Sequence, residues 1–363
     1  MNNRKLVLEN GLVFEGVGFG SANEQVAELI FNTSVVGYQE ILSDPANCNK
    51  IICMSYPLIG NYGMADDDFE SKHINVSGLI VREYNDSPSN FRFTSTLSEV
   101  MEENNVSGIA GIDTREIVRL VRDCGSMKAL ICDIDKDLEE CFEVLKLYQE
   151  EDDLVKVVSC KKVWYSRTPN PMFNVVVIDC GVKLNLIKKL NSAGCNVVVV
   201  PYNTSIEEIL SLKPNGLFIS NGPGNPEVYE NIIKIVDQIK GKIPVLGVGL
   251  GHLIIGLAYG AKVLKMNNGH HGSNYPVRNV NNGKVEITTQ NHLYCLDRES
   301  LTDTLLEVSH ENVINLEVEG IIDSKNKVIG LQYEPSTPIN ENSENAIVSF
   351  VKMFKKVGGR KNA

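Results

Sequence analysis

The stretch from Pro244 to Tyr259 constrains the fold of this chain more than any other: Pro-Val-Leu-Gly-Val-Gly-Leu-Gly-His-Leu-Ile-Ile-Gly-Leu-Ala-Tyr. A short apolar run, Val245 to Val248, enters a Gly-x-Gly-x-Gly turn and leaves as an apolar segment of helical character. That is the outline of a nucleophile elbow, a sharp strand-to-helix turn holding a reactive side chain above a parallel sheet. The reactive residue would stand midway between Gly247 and Gly251. That position is Gly249, which has no side chain.

The flanking segments supply the sheet such a turn needs. Asn174 to Cys180 predicts a buried strand, and Val182 to Ala193 a helix with Val182, Leu186, Ile187 and Leu190 on one face. Strands at Asn196 to Val200 and Gly216 to Ser220 alternate with helices at Ile206 to Leu212 and Pro226 to Ile239. Short strands around Lys262 to Lys265 and Val285 to Gln290 follow, and a helix from about Ser343 to Lys355 closes the chain. This alternation predicts an α/β fold with a mostly parallel, helix-covered sheet. Ligands bind such sheets at the carboxyl ends of their strands. Asn221-Gly222-Pro223-Gly224, the elbow, Gln290-Asn291-His292 and Gln332-Tyr333-Glu334-Pro335 all fall at predicted strand ends, where one site could collect them.

At 363 residues the chain is too long for one ordinary core, and it divides into two domains. Lys5 to Glu9, Asn10-Gly11 and Leu12 to Gly16 predict a β-hairpin, followed by a strand at Glu28 to Phe31. A Gly- and Pro-containing region from Gly37 to Gly63 comes next. Asp113-Thr114-Arg115 caps an amphipathic helix that runs toward Gly125, and a second helix spans Lys136 to Gln149. Periodicity lapses between Cys160 and Pro171, which places domains at 1–159 and 173–363 with a linker at 160–172.

Net charge of −11 without a basic run argues against nucleic acid as a partner. The polar stretch Met1 to Asn10 is no signal peptide, and no apolar run reaches the roughly eighteen residues of a membrane span. Nine scattered cysteines without a Cys-x-x-Cys pair predict reduced thiols in a cytoplasmic protein, with neither a disulfide framework nor a zinc site.

Several motifs carry a family resemblance. Ser220-Asn221-Gly222-Pro223-Gly224-Asn225-Pro226, the elbow, Gly269-His270-His271-Gly272 and Gln290-Asn291-His292 together resemble class I, triad-type glutamine amidotransferases. The Gly-His-His-Gly stretch is similar to that of carbamoyl phosphate synthetase small subunits in particular. So are Phe31-Asn32-Thr33-Ser34, Gly37-Tyr38-Gln39-Glu40-Ile41-Leu42, Asp44-Pro45, Tyr56-Pro57, Gly60-Asn61, Ser89-Asn90-Phe91-Arg92 and Gly111-Ile112-Asp113-Thr114-Arg115 in the first half. The resemblance implies a small-subunit N-terminal domain that docks on a large subunit, followed by a glutamine amidotransferase-like domain. It implies a heterodimer serving arginine or pyrimidine biosynthesis, with ATP and Mg on the large subunit and no cofactor or metal in this chain. In that family an elbow cysteine attacks the side-chain amide of glutamine, a histidine acts as general base and acid, and a glutamate orients the histidine. The released ammonia travels to the large, ATP-using subunit. Gly222, Gly224, Leu250, Asn291 and Tyr294 correspond to the substrate pocket.

The departures from the pattern are concentrated in the chemistry. The family elbow Gly-x-Cys-x-Gly-His-Gln is here Gly247, Val248, Gly249, Leu250, Gly251, His252, Leu253. The second segment, Gln-aromatic-His-Pro-Glu, is Gln332, Tyr333, Glu334, Pro335, Ser336. Nucleophile, base and orienting carboxylate are therefore replaced by Gly249, Glu334 and Ser336. Pocket positions are replaced as well, by Ala46, Leu253 and Leu293. Losing one triad member costs on the order of 10⁴ to 10⁶ in rate, and without a thiolate no acyl intermediate forms. The expectation is a small subunit that has lost glutaminase activity and persists as a structural and allosteric partner of an ammonia-using large subunit. The alternatives are hydrolysis through a rearranged site and a stand-alone binding protein.

Cys180 and Cys295 lie near strand ends and are the candidates for a displaced nucleophile, although free cysteines more often serve as small buried hydrophobes. Without a thiol to deprotonate, His292 reads as a hydrogen-bonded structural residue, and His270-His271 as part of a structural loop. Gly247-x-Gly249-x-Gly251 lacks the third glycine of the dinucleotide fingerprint and follows a late strand, which speaks against a nucleotide site.

Overall fold

The computed structural model describes residues 3–335 and 345–354. The chain forms two compact units, Met1–Leu154 with Met266–Asn274, and Val155–Lys265 with Tyr275–Ala363.

The first unit carries β1 (Arg4–Leu8), β2 (Val13–Gly20), β3 (Gln25–Asn32), β4 (Lys50–Met54), β5 (Leu58–Ile59), β6 (Gly78–Val81), β7 (Glu83–Tyr84), β8 (Ser107–Ala110) and β9 (Met127–Asp133). Seven of these close a barrel in the order β1-β2-β8-β6-β4-β3-β9, while β5 and β7 pair with each other. Leu29, Ile51, Ile80, Ile109 and Ile131 enter one apolar cluster, and Ile30, Ile52, Leu79 and Val81 another. That division follows the two-residue period of a pleated strand. Its helices are α1 (Tyr38–Ser43), α2 (Leu97–Glu103), α3 (Thr114–Cys124) and α4 (Leu138–Leu147). Asp113 caps α3 by accepting from the backbone N–H groups of Arg115 and Glu116. The segment from Gly37 to Gly63, to which sequence assigned no element, contains α1 and the fully buried β4. A run such as Lys50 to Met54 shows no alternation, because Ile51 and Cys53 enter one apolar cluster and Ile52 and Met54 the other, so both faces are buried.

The second unit continues with α5 (Leu154–Val158), β10 (Trp164–Ser166), β11 (Phe173–Asp179), α6 (Leu184–Ser192), β12 (Cys195–Pro201), α7 (Ile206–Ser211), β13 (Gly216–Ile219), α8 (Glu230–Ile239), β14 (Val245–Val248) and α9 (Leu250–Ala258). Then come β15 (Val263–Asn279), β16 (Val285–Leu296), β17 (Glu307–Asn312), β18 (Val318–Asp323), β19 (Val328–Leu331) and α10 (Ala346–Lys352). The sheet runs β10-β12-β11-β13-β14-β19-β18-β17-β15-β16. Its centre, β12-β11-β13-β14-β19, is parallel, and both flanks are antiparallel. Val176, Ile178, Leu217, Ile219 and Val245 pack under α8 and α9, while Val175, Val177, Phe218, Leu246 and Val248 pack under α6 and α10. Burial on both faces is what makes these strands read as continuous apolar runs.

Two expectations fail in the antiparallel flank. The short strands foreseen near 262–265 and 285–290 are β15 and β16, with 17 and 12 residues. Gly269-His270-His271-Gly272 is thus inside a strand and not in a loop. Its residues belong to the first unit, where the His271 carbonyl accepts from the Thr33 N–H at 3.1 Å and the Asn267 carbonyl from the Ser126 N–H at 2.9 Å. Gly and Asn residues in this stretch hid the strand, because its pairing comes from distant segments. Of the closing helix expected over 343–355, the described part is α10. None of the described helices is long and apolar enough to cross a membrane.

Candidate functional site

The three glycines of the elbow are required for two different reasons. A Cβ on Gly247 would lie 2.4 Å from the Gly251 carbonyl oxygen, and one on Gly251 2.2 Å from that of Ile219. Backbone cannot yield there, so both positions must be glycine for α9 to lie on β13 and β14. Gly249 differs. Its φ of 56° and ψ of −113° put it where a residue with a Cβ is strained. Yet a Cβ there would meet nothing nearer than the Asn221 Cβ, at 3.3 Å. A Cβ there needs the Asn221 side chain to give by only a few tenths of an ångström, and the turn carries none.

The parallel strand order sets the carboxyl ends of β11, β13, β14 and β19 side by side. This edge gathers Cys180, Asn221-Gly222, Gly249 and Gln332-Tyr333-Glu334. The Gly249 N–H donates to the Leu331 carbonyl at 2.8 Å, and the Cys180 N–H to Ser220 Oγ at 2.9 Å. Gly222 sits so close to the Cys180 carbonyl that a Cβ would approach its oxygen to 2.1 Å. Gly224, at φ 89°, makes the turn that follows. Leu250 and Leu253 are buried in the apolar cluster beneath α9, against which Tyr294 also packs.

The fourth motif is placed differently from the sequence expectation. Gln290-Asn291-His292 lies inside β16, with Leu293 and Tyr294, and not at a strand end. β16 meets α9 where Leu296 covers Gly256, a position at which a Cβ would come within 2.3 Å of the leucine. His292 is buried, with Nε2 3.1 Å from Gln290 Oε1 and Nδ1 3.0 Å from the Tyr294 carbonyl. Both ring nitrogens are engaged within its own strand. Ala46 stands in the first unit, on a 3-10 turn where its N–H donates to Asp44 Oδ1. Ser336 lies outside the described residues.

Glu334, at the family's base position, is held in ion pairs. Lys183 Nζ is 2.9 Å from its Oε2, and Lys189 Nζ 3.5 Å from its Oε1. Asn185 Nδ2 donates to Oε1 at 3.3 Å, and Lys189 also donates to the Pro335 carbonyl at 2.7 Å. Burial pushes the carboxyl up, but Lys183 and then Lys189 outweigh it and hold the group below its ordinary value. A carboxylate stabilised in this way is a poor proton acceptor.

Among the described residues, Cys180, Cys295 and His252 are poorly suited to act as nucleophile or base. Burial keeps the Cys180 thiol far above its usual range and pushes that of Cys295 up to about 12. Burial likewise lowers His252 to about 3, against a weaker opposing contact with the Gly330 backbone. It therefore remains a neutral ring beneath β19. An open cleft of about 540 Å³, lined in part by Tyr165, Arg167, Asn174, Asn196 and Leu212, lies at the amino ends of β11 and β12, the opposite strand ends from the elbow.

Lys183 and Lys189 were not singled out from sequence. The signal was present: a glutamate at a position facing a buried sheet edge needs a cation, and α6 follows a strand of that edge. Glu334→Gln should destabilise the protein by roughly 1–3 kcal/mol at neutral pH, the partial exposure moderating the full cost of breaking a buried pair. Because the folded carboxyl titrates below its unfolded value of about 4.3, its contribution is present above that pH. It is lost as pH falls through the folded value. Urea melts at pH 7 and near pH 3 should therefore show the gap between wild type and variant closing on acidification; an equal gap at both would refute the assignment.

Sequence comparison places these features among known proteins. Residues 6–131 match the family "Carbamoyl-phosphate synthase small chain, CPSase domain", and residues 176–353 match "Glutamine amidotransferase class-I". The carbamoyl phosphate synthase small chain of Bacillus thuringiensis subsp. konkukian is 43% identical over 359 residues, which cover 98% of this chain and 98% of that one. The pyrimidine-specific small chain of Halalkalibacterium halodurans is 42% identical over 353 residues, 97% of each chain. The small chain of Fusobacterium nucleatum subsp. nucleatum is 42% identical over 335 residues, 92% of this chain and 93% of its own.

Proposed function

Since the chain belongs to the family of carbamoyl phosphate synthase small chains, we propose that it is a small subunit whose glutaminase centre has fallen out of use. In this reading it remains a structural and allosteric partner of a large chain that consumes free ammonia. The observation that carries the reading is Gly249, a residue without a side chain at a turn where an added Cβ would meet no backbone atom nearer than 3.6 Å. Glu334 adds to it, since its carboxylate is held in ion pairs with Lys183 and Lys189. The reading places ATP and Mg on the large chain alone, and the pair in the cytoplasm. The test is reconstitution with the large chain of the same organism, comparing carbamoyl phosphate formation from glutamine with that from ammonia.

The rival reading, hydrolysis through a rearranged site, needs a thiolate from Cys180 or Cys295. Both thiols are buried and disfavour ionisation, so neither is suited to attack. A thiol-directed glutamine analogue should leave both unmodified in the folded protein. Peptide mapping that finds a stoichiometric adduct on either cysteine would favour the rearranged site.

A further inference from the structure

The open cleft of about 540 Å³ lies at the strand ends opposite the elbow, and strand register gives it an ordered lining. Tyr165 of β10 stands beside Val198 of β12, and Val198 beside Val176 of β11. These three form a largely apolar row on the sheet face that α7 and α8 cover. Two residues away along the strands, Asn196 stands beside Asn174, and Arg167 follows Tyr165 at the same interval. Side chains two apart on one face are about 6.5–7 Å from each other, so a polar row runs alongside the apolar one at that spacing. α7 has only six residues and ends where Leu212 walls the cleft, which leaves both rows within reach of solvent.

The segment that carries Arg167 is anchored on both sides. Ser166 Oγ donates to Asn191 Oδ1 at 2.6 Å, and the Met172 N–H donates to the Gly194 carbonyl at 2.8 Å. Pro169 and Pro171 restrict the backbone between these points. The Thr168 N–H donates to Asn196 Oδ1 at 3.1 Å, which fixes that amide and leaves its Nδ2 hydrogens to donate. Among the described residues, the Arg167 guanidinium, the Tyr165 hydroxyl and the Asn174 side-chain amide have no hydrogen-bond or ion-pair partner. Donors held in this way meet a ligand with little ordering left to lose.

Charge and polarity select the occupant. Arg167 is the one charged side chain of the lining, which contains no carboxylate. A cation would face the guanidinium unopposed, and a hydrocarbon would leave the donors of the outer row unused. A bare inorganic anion would leave the apolar row uncovered. A carboxylate accepts from guanidinium and amide N–H groups together, and a flat apolar body attached to it reaches from one row to the other.

We propose that this cleft binds a small flat monocarboxylate, its carboxylate on Arg167, Asn196 and Asn174 and its ring over Val176 and Val198 against Tyr165. The site lies wholly within the second unit and does not depend on the small-subunit reading above.

The test uses the full chain with three probes: benzoate, benzylamine as a ring of opposite charge, and acetate as an anion without a ring. Saturation-transfer NMR and titration calorimetry read the binding. Benzoate should bind with a Kd on the order of 1 mM, as its size allows, and the other two at least roughly tenfold more weakly. Arg167→Gln should weaken benzoate binding roughly tenfold, and Tyr165→Ala should weaken it as well. Both variants should keep the wild-type melting temperature, because both side chains are exposed. Three results would overturn the proposal: no benzoate binding at about 10 mM, benzylamine or acetate binding as well as benzoate, or Arg167→Gln binding benzoate within about twofold of wild type.

Discussion

Reconstituted with its large chain and saturating ATP, this protein should support carbamoyl phosphate synthesis from ammonium salts and not from glutamine. The glutamine-dependent rate should lie on the order of 10⁴-fold or more below that of an intact glutaminase, the loss that follows removal of one triad member. The chemistry offers no detour. Attack on the amide needs a thiolate, and the elbow has no thiol. Direct attack by water would need a general base, and among the described residues Glu334, His252 and His292 are each compromised for that role. Glu334 is held ionised by two lysines, which lowers its basicity. His252 is buried beneath β19 and stays neutral, and His292 spends both ring nitrogens within its own strand. Glutamate release is measured alongside, and the two rates separate the possible failures. Glutamate production that scales with enzyme and survives repurification would refute the loss of function. Absence of synthesis from ammonia would instead point to the stand-alone alternative.

The second expected result concerns Gly249→Cys. Placing a Cβ at φ 56° and ψ −113° costs about 1–3 kcal/mol in backbone strain, and the nearest neighbour, Asn221 Cβ at 3.3 Å, would have to give slightly. The single variant should therefore melt a few degrees below wild type, by roughly 2–4 °C for each kcal/mol in a chain of this size, and hydrolyse nothing. Restoring activity requires Glu334→His and Ser336→Glu as well, with Leu253→Gln and Leu293→Gly to reopen the pocket. Two of these changes carry a structural cost. Glu334→His removes the counter-charge of Lys183 and Lys189. Leu253→Gln puts an amide into the apolar cluster under α9. The combined variant should be markedly less stable than either wild type or the single cysteine variant. Melts and glutamate-release assays across the series would measure both quantities. A Gly249→Cys protein as stable as wild type and active without further changes would overturn this account of the elbow.

The fold was legible where the pattern is local. The alternation from Asn174 to Tyr259 announced β11 to α9 in order, because strands buried on both faces and helices with one apolar face leave periodic marks. Asp113 marked the start of α3 through its cap, and Asn10-Gly11 marked the hairpin. The barrel was not legible. Its closure joins β2 to β8 and β3 to β9, strands about a hundred residues apart, and nothing local distinguishes a barrel strand from a sheet strand. β15 and β16 were underestimated for the same reason. The Gly- and Asn-containing stretch of β15 has weak intrinsic strand preference, and β16 runs on past Gln290 to Leu296, so pairing made elsewhere decides their length.

For the candidate site the division is sharper. Residue types alone give Gly249, Glu334 and Ser336 at the positions where the resemblance implies a cysteine, a histidine and a glutamate, and packing cannot add a side chain to Gly249. Only the tertiary structure decided why each elbow glycine is there. A Cβ added at Gly247 or Gly251 would come within 2.4 or 2.2 Å of a backbone oxygen, whereas one at Gly249 would approach backbone no nearer than 3.6 Å, and the constraint there is its φ. Only the fold could bring Lys183 and Lys189 to Glu334, some 150 residues away, and make it an ion-paired brace. Exposure is decided in the same way. Phe91 looks like any core phenylalanine in sequence, and it stands in water because the loop that carries it is tied to Asn61 and Met64. Residue identity limits what a site can do, while burial and charge partners, set by distant segments, determine what the remaining side chains do.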